Sequence, residues 1–538
     1  MKINCSHLTY KQTGFFSKIV LSYLNSDKEL QPFFEHNTTN EGLKNAIASR
    51  KNFKTNRKLL VEVLEQQYQN IPLTALQEKN LKALLHENTF TVTTAHQPNI
   101  FTGPLYFIYK ILHVIKLADD WNKHDNTNYF VPIYFMGSED ADFEELSFIN
   151  LEGEKLSWKT NQTGAIGRML VDENLIQLID KIAGQIGIYN FGNELITNIK
   201  LCYTLNKNIE QATIEFVNIL FKEFGLLILI PDNSLLKNEF KPIFEKELAE
   251  NFSNKYLEKT VNELNKNFKI QTLGRQINLF YLQDNQRYRI IKEEGKFGFK
   301  NTSNEFQQLD IQYELKNSIK AFSPNVILRG VFQEMILPNI AFVGGGGELA
   351  YWLELKNIFN AVNVPYPVLI LRNSFLIVDE KNTRKINQLL LQDDALFLNE
   401  NDLINSQIFP KIEQEFSLKK NKAIEEINDG FANLISSLQN NYPTLAIHTK
   451  ALHTNSVKRI QALEKKILKA EKRKNEEVVQ KLKNVKHSLF PKNNLQERVE
   501  NFAILYAKYG AEFLQVLFQH SLTTEQLFTI LKLDSKVE

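Results

Sequence analysis

Cysteine is almost absent from this chain: Cys5 and Cys202 are the two thiols in 538 residues. Two cysteines exclude a disulfide framework and an all-cysteine zinc site, and they fit a reducing compartment where thiols stay free. A surplus of one charge is missing too. Lys and Arg number 64 against 62 Asp and Glu, a net charge of +2. That balance makes no electrostatic case for wholesale binding to nucleic acid or to an anionic membrane. Long apolar runs are lacking as well. Runs such as Gly225–Pro231 are a buried strand in length, whereas a membrane span needs about 20 apolar residues. Met1–His7 has no apolar run of the kind a signal peptide needs. The expectation is a cytoplasmic protein with no membrane partner.

Several catalytic signatures are also missing. The ten histidines include no His-Glu-x-x-His, the cysteines lack zinc spacing, and no Gly-x-Ser-x-Gly elbow occurs. What is present is an ordinary globular composition, 43% hydrophobic and 23% charged. At this length one hydrophobic core does not suffice, so two or more domains are expected.

The first two-thirds alternates short apolar strands with helices. Residues 6–88 read as mainly helical. Phe90–Thr94 is β-branched and short, and it breaks at His96-Gln97-Pro98-Asn99. An apolar helix follows over Leu105–Trp121. Tyr129–Met136 is a second strand, ending on the acidic loop Gly137-Ser138-Glu139-Asp140-Ala141-Asp142. Leu226–Pro231, Asn339–Val343 and Pro367–Leu371 continue the rhythm of a parallel sheet. This predicts an α/β Rossmann-like core over 1–380, with insertions near 150–205 and 270–320.

After Asp379 the composition shifts to Lys, Glu, Asn, Gln and Leu. Ile424, Ile427, Phe431, Leu434 and Leu438 form a heptad seam, broken at Asn440–Pro443. The seam resumes at Ile460, Leu463, Ile467 and Ala470, then shifts phase near Lys474 before Val478, Leu482, Val485 and Leu489. The shift reads as a stutter. The prediction is an α-helical antiparallel coiled-coil domain over 381–538, with helix to the end. The basic run Lys465–Lys474 reads as its wet face.

Open α/β sheets bind ligands beyond the carboxyl ends of their strands, which singles out three loops. In the first, His96 can stabilise a transferring phosphate, and Thr102-Gly103-Pro104 opens a helix whose N-terminal amides suit an anion. The same residues also make an ordinary capped turn. In the second, Glu139, Asp140, Asp142, Glu144 and Glu145 can hold an ammonium group, a ribose or magnesium, or simply cap a helix. The third is Gly344-Gly345-Gly346-Gly347 with Glu348. Four glycines favour close approach of backbone to a ligand. No Lys-Ser/Thr follows them, so this is not a Walker loop, nor is it the spaced dinucleotide fingerprint. Arg329, Gln333 and Glu334 precede it, and Arg372 and Ser374 follow the last strand; an arginine there can pair a phosphate or carboxylate.

Taken together, these segments resemble the cysteine ligase family of bacillithiol biosynthesis. The resemblance is carried by Phe101–Tyr106, Glu139–Phe143, Ser323–Arg329, Phe342–Trp352, Leu489-Phe490-Pro491 and Leu495-Gln496-Glu497-Arg498. It implies a core similar to class I aminoacyl-tRNA synthetases, a coiled coil that supports a homodimer, and the last pathway step, amide formation between cysteine and glucosaminyl-malate. It implies ATP as cofactor, with ADP binding also possible, magnesium arriving with the nucleotide, and no metal cluster.

By position, His96, Gln97, Glu139, Asp140 and Asp142 would be catalytic. Thr102, Gly103, Arg329, Gly344–Gly347 and Glu348 would hold the nucleotide. Gln496 and Arg498 would form a second nucleotide pocket beside the coiled coil. The chain departs from the family in two places: Ala95-His96-Gln97-Pro98 stands for a Gly-Gln-Gln loop, and Ala141 stands for a histidine. No Lys-Met-Ser-Lys-Ser loop is present. The other readings are a nucleotide-dependent amide synthase using a different amine, and a non-catalytic nucleotide- or RNA-binding coiled-coil protein.

Overall fold

A computed structural model describes residues 2–283, 286–408 and 410–534. The chain divides into two compact units. The larger comprises His7–Leu376 with Asn494–Ile530, and the smaller Met1–Ser6, Ile377–Asn493 and Leu531–Glu538. By packing, Asn494–Ile530 therefore falls with the core rather than with the helical region that precedes it.

The larger unit is built on a five-stranded parallel sheet. In chain order its elements are β1 (Thr89–His96), α1 (Tyr106–His124), β2 (Tyr129–Met136), β3 (Leu227–Leu229), α2 (Val326–Ile336), β4 (Asn339–Gly344), α3 (Gly346–Ala361) and β5 (Val368–Leu371). The spatial order is β5-β4-β1-β2-β3, every pair parallel. The chain moves outward from β1 in one direction, then returns to its other side. That reversal leaves a crevice between the carboxyl ends of β1 and β4, where doubly wound sheets bind their ligands. The strands read as continuous apolar runs because both faces are covered: Phe90, Val92, Phe130, Ile340, Val343 and Ile370 pack with Val114, Leu117 and Trp121 of α1 in one core cluster. All five strands fall where the hydropathy pattern predicts them.

The expected insertions are present. Phe148–Leu151 and Glu154–Ser157 form a hairpin, helices span Glu173–Ile186 and Gly192–Cys202, and short antiparallel strands fill Leu279–Gln308. Strands not foreseen include Ser374–Val378 and those at the two ends of the described chain. Lys2–Thr9 begins the described chain, and Leu527–Asp534 ends it where helix was expected.

In the smaller unit, helices Pro410–Gln439 and Pro443–Lys474 form the hairpin. The Phe431 ring centre lies 5.2 Å from that of His453, whose Nε2 lies 2.7 Å from Asn428 Oδ1. The stutter expected near Lys474 is instead a helix end. Asn475 leaves helical geometry (φ −110, ψ 33), and a separate helix runs over Glu476–Leu489. Its Leu482, Val485 and Leu489 are buried, and Lys486 Nζ donates to Leu396 O at 2.8 Å within the same unit. Those apolar positions serve a local core, not a longer supercoil. No helix among the described residues is long and apolar enough to cross a membrane.

Candidate active site

Strand ends build the site. β1 delivers His96 and Gln97, β2 delivers Gly137 and Asp140, β4 the glycine loop, and β5 Arg372. They line one pocket of about 410 Å³, together with Tyr106 and Lys110 from α1, Arg329 from α2, Tyr351 from α3, and Arg498. That volume is in the range of small-molecule sites.

The His96 carbonyl is fixed by Gly137 N–H at 2.8 Å and Tyr134 OH at 3.0 Å. Its ring lies between Tyr106 and Phe107, at 5.5 and 5.4 Å, and Nε2 is buried without a hydrogen-bonding partner among the described residues. Burial, then the Lys110 and Arg372 charges, hold the imidazole well below its usual pKa of 6.5, against the pull of Asp140. His96 is therefore neutral at pH 7, able to give or take one hydrogen bond but not to supply charge.

Asp140 is the acidic residue of the second loop that best fits a binding role. Burial raises its carboxyl, but Arg329 and Arg287, the Gln97 amide and the Ala141 N–H together bring it below the ordinary value. Gln97 Nε2 is 3.2 Å and Arg329 Nη1 3.4 Å from its Oδ2. Glu145 lines the pocket too, its carboxyl raised by burial and by Asp142 and Asp140.

The neighbours in sequence go elsewhere. Glu139 accepts from Lys237 Nζ at 2.5 Å, and Lys237 also reaches Asp232 at 2.9 Å, so Glu139 belongs to a buried ion network outside the pocket lining. Asp142 is exposed and caps the Phe143–Leu146 turn, accepting from Glu145 N–H.

The glycine loop faces the pocket through Gly345, Gly346 and Gly347. The structure refines the reason for the glycines, none of which has positive φ. A Cβ on Gly344 would lie 2.8 Å from the Phe342 ring, whereas on Gly347 it would meet nothing within 4 Å. Gly344 is required by packing, and Gly347 leaves open space. Glu348 accepts from Gly345 N–H at 2.8 Å and pairs with Lys110. The next amides of the first turn have no intrahelical acceptor by helix geometry.

Thr102 and Gly103 do not line the pocket. Their loop turns away through positive φ at Phe101, Thr102 and Gly103. Asn501 Nδ2 binds the Phe101 and Gly103 carbonyls at 2.9 and 2.5 Å, and Leu105 N–H donates to Glu500 O at 2.8 Å. Chain backbone thus occupies the start of α1 where an anion was expected. Glu334, which precedes the glycine loop, is likewise structural: it pairs with Arg50 at 2.7 Å. Of the C-terminal pair, Arg498 lines the same pocket as His96, while Gln496 is not among its lining residues.

Two cations were underweighted by sequence reasoning. Arg372 gives Nη2 to the fully buried Glu497 at 2.7 Å and Nη1 to Asn373 O at 2.9 Å, with its guanidinium 5.2 Å from the Tyr106 ring centre. Lys110 is 2% exposed, and Nζ donates to Ala95 O at 3.0 Å. Burial lowers its pKa while Glu348 opposes the shift. A signal for Lys110 existed: Tyr106, Lys110 and His113 form a polar stripe at spacing 4 and 3 in the largely apolar first half of the helix. Among the described residues no group of three or more His, Cys, Asp or Glu could hold a metal ion.

Comparison with known proteins agrees with this architecture. Residues 1–373 match the family model described as "Bacillithiol biosynthesis BshC, N-terminal Rossmann-like domain". Residues 375–533 match "Bacillithiol biosynthesis BshC, C-terminal coiled-coil domain". A Flavobacterium johnsoniae protein named "Putative cysteine ligase BshC" is 38% identical, over 97% of this chain and 99% of its own. A Flavobacterium psychrophilum relative of the same name is 37% identical, over 98% and 99%. One from Bacillus cereus is 25% identical, over 96% and 98%. With both domains matched along nearly the whole chain, this protein belongs to the BshC family of bacillithiol biosynthesis.

Proposed function

We propose that the chain is an ATP-dependent carbon–nitrogen ligase that joins cysteine to the amine of glucosaminyl-malate, the last step of bacillithiol biosynthesis. The observation that carries this reading is one pocket lined by Lys110, Arg329, Arg372 and Arg498, by the glycine-loop helix, and by Asp140 and Glu145. Fixed cations and helix-start amides suit a phosphate chain and the charge that develops on it. The carboxylates suit an ammonium group.

The cysteine carboxylate attacks a phosphorus of ATP. Attack at the α-phosphorus expels pyrophosphate and gives an adenylate; attack at the γ-phosphorus expels ADP and gives an acyl phosphate. The amine then attacks the acyl carbon, loses a proton, and releases AMP or inorganic phosphate. His96 would hydrogen-bond the transferring group. Magnesium would travel with the nucleotide and be held chiefly by its phosphates. The protein would work in the cytoplasm, as a homodimer through the coiled coil, where Leu434, Leu445, Leu452 and Leu463 are exposed.

Incubating the purified protein with ATP, magnesium, cysteine and glucosaminyl-malate, with mass-spectrometric detection, tests this reading. The expected result is the amide product with stoichiometric AMP or ADP, which also distinguishes the two activation routes. ATP turnover with another amine only would assign a different acceptor, and no nucleotide-dependent product would overturn the reading. Sedimentation of the same sample checks the homodimer.

A further inference from the structure

A second concavity, of about 340 Å³, lies behind the acidic loop, lined by Arg168, Leu170, Asn208, Glu210, Leu282 and Lys320. It is tied to the first site through backbone. Ile166 N–H donates to Asp140 O at 2.8 Å, and Gly167 N–H donates to Ser138 O at 2.9 Å. The short turn carrying Arg168 is thus fastened to the loop that presents Asp140.

Much of the polar chemistry here is consumed by the fold. Lys237 gives its three protons to Glu139, Asp232 and the Lys320 carbonyl at 2.5, 2.9 and 2.6 Å. Arg168 commits Nε and Nη2 to Asp232 at 2.7 and 2.9 Å. That set, two carboxylates and two cations, is closed and neutral.

Three groups remain outside it. Arg168 Nη1 has no acceptor among the described residues, on a side chain 31% exposed. Lys320 is exposed and forms no ion pair among them. Glu210 Oε2 is buried without a hydrogen-bonding partner among the described residues. Burial and the Asp232 charge push the Glu210 carboxyl up to about 7, against Ser138, Lys320 and Arg168. A buried carboxyl oxygen left without a hydrogen bond is costly in a structure that has no use for it. Two free donors and one free acceptor around a cavity have the pattern of a ligand's counterparts.

We propose that this concavity binds a small molecule carrying both an amine and a carboxylate, with the carboxylate on Arg168 Nη1 and Lys320 Nζ and the ammonium on Glu210. The identity of the ligand rests on the ligase reading, because cysteine and glucosaminyl-malate both have this chemistry. The site itself rests on the geometry alone.

Calorimetric titration without nucleotide tests it, using cysteine, glucosaminyl-malate and inorganic phosphate on the wild type, Lys320→Ala, Glu210→Gln and, as a first-pocket control, Arg498→Ala. Saturable binding of one zwitterion is expected, weakened at least tenfold in Lys320→Ala and Glu210→Gln and unchanged in Arg498→Ala. The zwitterion that responds identifies the occupant. Equal affinity in Lys320→Ala and wild type, phosphate binding in place of either zwitterion, or no binding of either would overturn the proposal. Should titration succeed while the product assay fails, the ligase reading falls and this site stands. Should product form with both KM values within twofold of wild type in Lys320→Ala, the ligase reading stands and this site falls.

Discussion

Glu139 and Asp140 are adjacent in the chain and alike in charge, yet the fold uses them oppositely. Asp140 lines the pocket, its carboxylate shared between Gln97 and Arg329 at the longer distances of 3.2 and 3.4 Å. Glu139 accepts the Lys237 ammonium at 2.5 Å, and that lysine is 0% exposed. One loop therefore has a face toward the pocket and a face for scaffold. Loosely held carboxylates at strand ends are free to change partners, and saturated ones are not.

The contrast can be broken most severely from the scaffold side. Lys237→Met leaves Glu139 buried without its cation, and a loss of about 3–5 kcal/mol is expected in chemical denaturation. The glycine loop offers a matched pair of the same kind. Gly344→Ala forces a Cβ against Phe342 and should cost about 1–3 kcal/mol. Gly347→Val meets no atoms near its Cβ, so its denaturation midpoint should stay at wild type while KM for nucleotide rises or turnover falls at least tenfold.

The smallest effect concerns protons. His96 is lowered well below 6.5 in the folded state by burial, then by the Lys110 and Arg372 charges, and His113 is lowered to about 4, chiefly by burial. Both are neutral in folded and unfolded chains above pH 6.5, so neither affects stability there. Below it the unfolded chain takes up protons that the folded chain refuses. Each histidine should therefore cost up to about 1.4 kcal/mol per pH unit as pH falls from 6.5 toward its folded value. His96→Gln should remove one share of that slope in denaturation midpoints between pH 6.5 and 5, and an unchanged slope would contradict the burial argument.

The sheet was legible because strands buried on both faces are written as continuous apolar runs, as in Tyr129–Met136. His96, Gln97, Asp140 and the glycine loop were legible because such folds place ligands at strand ends. What was hidden depends on tertiary partners. Nothing local separates Glu139 from Asp140; Lys237, nearly a hundred residues away, does so. Thr102 and Gly103 read as an anion loop until Asn501 and Glu500 pin that segment from the far end of the chain. Glu497, which orients Arg372, was visible only as part of a motif. The terminal strand Leu527–Asp534 escaped because strand pairing is nonlocal.

The division of the acidic loop is tested most directly by measuring kcat/KM and the thermal midpoint side by side for Asp140→Asn and Glu139→Gln, per mole of folded protein. Asp140→Asn should lower kcat/KM at least a hundredfold with the midpoint unchanged. Glu139→Gln should lower the midpoint, with kcat/KM of the folded fraction within tenfold of wild type. The reverse pattern, a stable but inactive Glu139→Gln beside an active Asp140→Asn, would contradict the account.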